Sequence, residues 1–128
     1  MDREQVVIYC AGFFDGDGCI SFEKVQQRPD ASWEYRLRCI INQKFHDEPL
    51  HLFLRTFGGR LHFDGNRTTH LINGRDAVAM LTELLPFLTV KRDQAEIAVR
   101  FFEMTGFERE AAFQEVRKLK RAYKFLDS

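Results

Sequence analysis

The chain has no surplus of charge of either sign. Lys and Arg total 19, Asp and Glu total 19, and the formal net charge over 128 residues is zero. That excludes a protein that coats nucleic acid by bulk charge, so any nucleic-acid contact must come from where the basic residues sit. Cysteine is scarce. Cys10, Cys19 and Cys39 are odd in number and no two have C-x-x-C spacing, which argues against a disulfide framework or a zinc knuckle. Reduced thiols in an intracellular reducing compartment are expected, with all three read as buried small apolar residues. The four histidines have no metal-ligand spacing. No apolar run approaches the roughly 20 residues of a membrane span, so no membrane partner is expected. The opening MDREQVVIYC lacks the layout of a secretion signal. Low-complexity tracts and internal repeats are absent too.

What is abundant is core-forming material. Hydrophobic residues make up 45% of the chain, charged residues 30%, and 13 phenylalanines are present. These suit a single globular domain over residues 1–128. Gln5 to Phe14 reads as a mostly apolar helix ended by Asp15-Gly16-Asp17-Gly18. From Cys19 to Gln27 the pattern alternates, with Ile20, Phe22 and Lys24 on one face and Ser21, Glu23 and Val25 on the other. After a turn at 28–31, Tyr35 to Gln43 alternates again: Tyr35, Leu37, Cys39 and Ile41 against Arg36, Arg38, Ile40 and Asn42. These two stretches predict a hairpin.

Pro49 fits the first turn of a helix carrying Leu50, Phe53, Leu54 and Phe57, stopped by Gly58 and Gly59. Arg60–Phe63 and Thr68–Ile72 flank Asp64-Gly65-Asn66, a second hairpin signal. Asn73 is placed to cap a helix with Ala77, Val78, Leu81, Leu84 and Leu85, and Pro86 sits at its end. Another helix is expected from about Arg92 to Met104, with Ile97, Phe101 and Met104 inward. A last one, Glu108 to Leu126, carries Ala112, Val116, Leu119, Tyr123 and Leu126 on one stripe. The expected class is α+β: an αββαββα core with an antiparallel saddle covered by helices, plus a C-terminal helix. One sheet face is left polar and open.

Cys10-Ala11-Gly12-Phe13-Phe14-Asp15-Gly16-Asp17-Gly18 resembles the signature of the LAGLIDADG homing endonucleases, of the kind with one motif per chain. Ala11, Gly12, Asp15, Asp17 and Gly18 match letter for letter, and the order of elements fits the family along most of the chain. Taken by itself, DGDG also reads as an ordinary turn after a buried helix. The resemblance implies a homodimer whose motif helices pack through the small residues Ala11, Gly12 and Gly16. Asp17, with the Gly16 carbonyl beside it, matches the acid that binds Mg²⁺, for which Mn²⁺ can substitute. Asp15 is read as structural.

Gln43, in the Gln43-Lys44 pair, matches a residue that positions water, and Lys91, ahead of the fourth helix, matches a lysine aimed at the reacting phosphate. Where the family often adds a basic residue, this chain has His46 and Asp47. The implied activity is site-specific cleavage of double-stranded DNA at a long pseudo-palindromic target, one phosphodiester per strand, in the service of intron mobility.

The open sheet face would meet the DNA. Ser21, Glu23, Val25 and Gln27, then Glu34, Arg36, Arg38, Ile40 and Asn42, should line it, with His62, Asp64, Thr69 and Leu71 as counterparts on the second hairpin and Asn66 and Arg67 at its tip. Arginine suits guanine, and Asn or Gln suits adenine, in the major groove. Arg117, Lys118, Lys120, Arg121 and Lys124 on the last helix read as a solvated face, with phosphate contact as the alternative. Two competing readings are a maturase or DNA-binding regulator that has lost cleavage, and a structural domain with no nucleic-acid partner.

Overall fold

In the computed structural model, which describes the backbone of residues 1–126 and the side chains of residues 1–122, the first helix, α1 (Arg3–Asp17), outruns its apolar pattern at both ends. At its start the Asp2 carboxylate accepts from the Gln5 N–H and the Gln5 side chain accepts from the Asp2 N–H, each at 2.9 Å. This reciprocal capping box satisfies two donors that the first turn would leave free. At its end Asp15-Gly16-Asp17 is the last helical turn and not a stop. A helical glycine costs about 1 kcal/mol relative to alanine, and here the turn is held from outside through the Asp15 carboxylate.

The next segment, β1 (Gly18–Val25), pairs antiparallel with β2 (Glu34–Lys44), placing Ser21 opposite Arg38 and Glu23 opposite Arg36. The second hairpin joins β3 (Arg60–Asp64) to β4 (Arg67–Asn73) through a turn in which Gly65 takes a φ of 61°. Pairing of β2 with β4 fuses the hairpins into one antiparallel sheet of order β1-β2-β4-β3. Ile20, Phe22, Leu37, Cys39, Ile41 and Ile72 turn inward and are buried under the helices. The class is α+β, as the alternation requires.

Between the hairpins lies α2 (Glu48–Phe57), with Pro49 in its first turn. The third helix, α3 (Gly74–Leu84), is continued by a 3₁₀ turn, Leu85–Phe87, that contains Pro86. Asn73 precedes α3 but does not cap it, because its side-chain oxygen accepts from the Arg38 Nε at 3.2 Å instead.

The helix expected over 92–104 is shorter: α4 (Arg92–Ala98) ends where the Val99 N–H is shared between the Ala95 and Ile97 carbonyls. A 3₁₀ turn, Phe101–Glu103, follows. That break lets Phe101 go inward, edge-on to Phe22 and under the Arg109 guanidinium. The final helix, α5 (Gly106–Leu126), begins at a second capping box made by Thr105 and Glu108. Ala112 and Val116 on its stripe are buried and Leu119 is half-buried, while the Tyr123 and Leu126 side chains lie outside the described residues.

Candidate active site and nucleic-acid interface

The C-terminal turn of α1 delivers Asp17 to the surface at the point where helix gives way to β1. That junction needs glycine at 18, since a Cβ there would run into the Phe14 ring. On the neighbouring strand the Gln43 Nε2 donates to the Asp17 Oδ2 at 3.1 Å and to the Asn42 carbonyl at 2.9 Å. Gln43 and Asp17, 26 residues apart, are thus brought into one group.

Lys91 joins them through Asp15. The Asp15 carboxylate accepts from the Thr89 N–H at 2.7 Å and the Lys91 N–H at 3.0 Å, and the Lys91 ammonium donates to the Asp15 carbonyl at 2.7 Å. The loop before α4 is therefore clamped to the end of α1, and Asp15 is structural as read from the motif. Burial pushes the Lys91 ammonium below the usual lysine range, opposed by the charges of Asp15 and Asp17 and reinforced by that of Lys120.

Lys120 is a member of this neighbourhood that the sequence placed only in a basic run, read as a solvated face with phosphate contact as the alternative. Its ammonium lies 3.4 Å from the Cys19 sulfur, and Cys19 is half-exposed, unlike the buried Cys10 and Cys39. The signal was available: Lys120 stands four and eight residues after the buried Val116 and Ala112, on the inward stripe of α5. His46 is exposed, and the Asp47 carboxylate faces away to accept from Thr68 and bond His51.

The open sheet face carries the residues that alternation assigned to it. Ser21, Glu23 and Val25 on β1 lie opposite Arg38, Arg36 and Glu34 on β2. Ile40 and Asn42 pair with Leu71 and Thr69 on β4, and His62 and Asp64 on β3 complete the rows. Asn66 and Arg67 stand at the second hairpin's turn, while Gln27 falls two residues beyond the end of β1. Arg60, Lys44 and Asn73 belong to the same face by register and were missed, although parity alone places them there. Arg38 is held across the face, 3.5 Å from the Glu23 carboxylate as well as bonded to Asn73. Thr69 donates to Asn42.

Gly12 and Gly16 are exposed on α1, and a Cβ at either position would meet nothing within 4 Å. No packing among the described residues explains their missing side chains. Ile8 and Tyr9, 45% and 44% exposed, extend this apolar surface. Ala11 does not belong to it. Its methyl is fully buried in the subunit's own core, because one residue around a helix turns it away from Gly12.

The donor set at the end of α1 consists of oxygens. Carbonyls in a helix's last turn lack intrahelical partners, so the Gly16 carbonyl and the exposed Asp17 carboxylate, one oxygen of which accepts from Gln43, are hard ligands of the kind Mg²⁺ prefers. Among the described residues no three His, Cys, Asp or Glu side chains cluster. The residues therefore fit a hard cation whose remaining ligands come from outside the subunit, and they do not fit zinc.

The sequence profile of the LAGLIDADG endonucleases matches residues 10–103. The chain belongs to the LAGLIDADG endonuclease family. Its fold is that of I-CvuI, solved in complex with the I-CreI target, at 23% identity and a TM-score of 0.72 over 97% of this chain and 83% of that one. It is also that of the archaeal intron-encoded homing endonuclease I-Vdi141I, solved in complex with DNA, at 17% identity and a TM-score of 0.73 over 94% and 85% of the two chains. I-GzeII, a LAGLIDADG homing endonuclease solved with its DNA target, matches 88% of this chain at 13% identity and a TM-score of 0.63, but only 43% of its own length is covered. No curated protein matches the sequence. No helix among the described residues is long and apolar enough to cross a membrane.

Proposed function

We propose that this chain is a homing endonuclease that works as a homodimer, hydrolysing one phosphodiester in each strand of a long pseudo-palindromic DNA site with the help of a divalent cation. The observation that carries the proposal is the grouping of Asp17, Gln43 and Lys91 around the exposed end of α1. This end joins directly to β1 of a polar, open antiparallel sheet. The DNA complexes of I-CvuI and I-Vdi141I support double-stranded DNA as the partner.

Asp17 and the Gly16 carbonyl would hold Mg²⁺ or Mn²⁺. When bound, such a cation polarises the phosphate, acidifies a water and steadies the leaving oxygen. The chain's own groups do the rest. Gln43 gives one N–H to Asp17, fixing that carboxylate's rotamer, and keeps its carbonyl oxygen for orienting a water. Lys91, half-buried and anchored to the Asp15 carbonyl, presents positive charge where the phosphate gains negative charge. Two α1 helices facing through Gly12 and Gly16 would set two such centres about a two-fold axis, which is what a cut in each strand of a near-palindrome needs.

The test starts from a randomised duplex pool, from which the bound target is selected in Ca²⁺. Mg²⁺ should then produce a double-strand cut at that target. Asp17→Asn should slow cleavage by about 10²–10³-fold or more while keeping DNA affinity. A wild-type chain that binds a defined site but never cuts it would assign the protein to the maturase or regulator class. No salt-dependent DNA affinity at all would reject both.

A further inference from the structure

The basic run on α5 is not uniform. Arg117, Lys118 and Arg121 are exposed, whereas Lys120 is half-buried. Helical spacing explains the split. Ala112 and Val116 are buried against the sheet, and Lys120 follows at the next i+4 step, so its stem takes the place that an apolar side chain would occupy. A lysine in such a place lays its methylenes on apolar surface and brings its ammonium out at the edge. Here the edge is the start of β1. The ammonium sits 3.4 Å from Cys19, two residues from Asp17.

The contact it makes there is a poor one. A thiol is a weak acceptor, and an ammonium has three N–H groups to place. Among the described residues no carboxylate lies within 4 Å of Lys120, although Lys24 and Arg92 each have one. The charge of Lys120 is nevertheless felt at Lys91, which also feels Asp17. Two ammonium groups and two carboxylates, Asp15 and Asp17, therefore share the end of α1, but the Asp15 carboxylate is already taken by the Thr89 and Lys91 N–H groups, so the Lys120 ammonium is left with a thiol and room for a further anion. A phosphodiester over Asp17 would be that anion, and the more so once a divalent cation offsets the Asp17 charge.

We infer that Lys120 is a catalytic cation of this enzyme, moving from the Cys19 sulfur onto the DNA phosphate above Asp17 and sharing with Lys91 the charge that builds there during cleavage. The inference rests on the endonuclease reading above. It makes α5, outside the residues matched by the family profile, part of the site.

The experiment compares wild type, Lys120→Met and Lys120→Arg on the selected target. Methionine keeps the apolar stem and removes the charge. With DNA fully bound, Lys120→Met should cut about 10²-fold more slowly, and Lys120→Arg should recover part of the loss. In Ca²⁺, without cleavage, the slope of log Kd against log salt should flatten by about one for the lost phosphate contact, and thermal melting should show Lys120→Met folded. Lys120→Gln replaces it if methionine unfolds the chain. An unchanged bound-state rate overturns the inference whatever the salt slope does. If the wild type itself fails to cut, the endonuclease reading fails and this inference falls with it. If the wild type cuts and Lys120→Met cuts equally fast, only the role of Lys120 fails.

Discussion

At the scale of single residues, His70 shows how a buried titratable group ties stability to pH without any part in the site. Its ring packs 5.7 Å from that of Phe53, its Nε2 bonds the Gly58 carbonyl at 2.8 Å, and its Nδ1 has no partner among the described residues. Burial holds its pKa below the usual histidine value. Above about pH 6.5 the ring is neutral folded or unfolded, and this group adds no pH dependence. Below that, only the unfolded chain takes the proton, so stability falls as pH drops from about 6.5 towards the lowered folded value. The melting temperature should therefore decline between pH 7 and pH 5, before the carboxylates titrate. His70→Gln, which keeps a donor for Gly58, should decline less over that window, and equal slopes would place the effect elsewhere.

At the scale of elements, the decisive contact is between the end of α1 and the loop before α4. Asp15 holds that loop by two backbone N–H groups. Asp15→Ala leaves both donors without their carboxylate and should cost about 1–3 kcal/mol, measurable by urea unfolding. Because the same loop carries Lys91, cleavage should fall as well, even though Asp15 itself reaches no substrate. A variant with wild-type stability and rate would show that Lys91 needs no clamp. The two capping boxes, Asp2 with Gln5 and Thr105 with Glu108, belong to this scale too. Both were written in the sequence as an acceptor followed three residues later by Gln or Glu, ahead of an apolar run.

For the whole molecule, the question is what covers the outer surface of α1. Gly12 and Gly16 leave open space beside Ile8 and Tyr9, and none of the described residues fills it. In the proposed homodimer a second copy would bring the complementary surface by symmetry. Gly12→Leu is tolerated by the subunit, since nothing lies within 4 Å of its Cβ, but its bulk should hold two α1 helices apart. Sedimentation should therefore show a dimer for the wild type and a monomer for Gly12→Leu, with melting little changed. A Gly12→Leu chain that stays dimeric would move the interface to another face. The zero net charge is eased at this scale, because the open sheet face carries Arg36, Arg38, Lys44, Arg60 and Arg67 against Glu23, Glu34 and Asp64.

The sequence by itself determined the layers and singled out Asp17 as the proposed acid. Period-two alternation sorts Ile20, Leu37 and Ile72 from Ser21, Arg38 and Leu71 whatever else the chain does, and the nine-residue motif marks Asp17. What only the tertiary structure decided was everything that depends on a partner distant in sequence. α1 runs through Asp15-Gly16-Asp17 because a loop 74 residues later grips Asp15. Asn73 gives up its cap to Arg38, α4 breaks so that Phe101 can reach Phe22, and Ala11 points into the core. Lys120 comes to Cys19 across 101 residues. Local patterns report the period of a segment, while the end of a helix or the destination of a lysine is settled by which competing partner packing brings within reach.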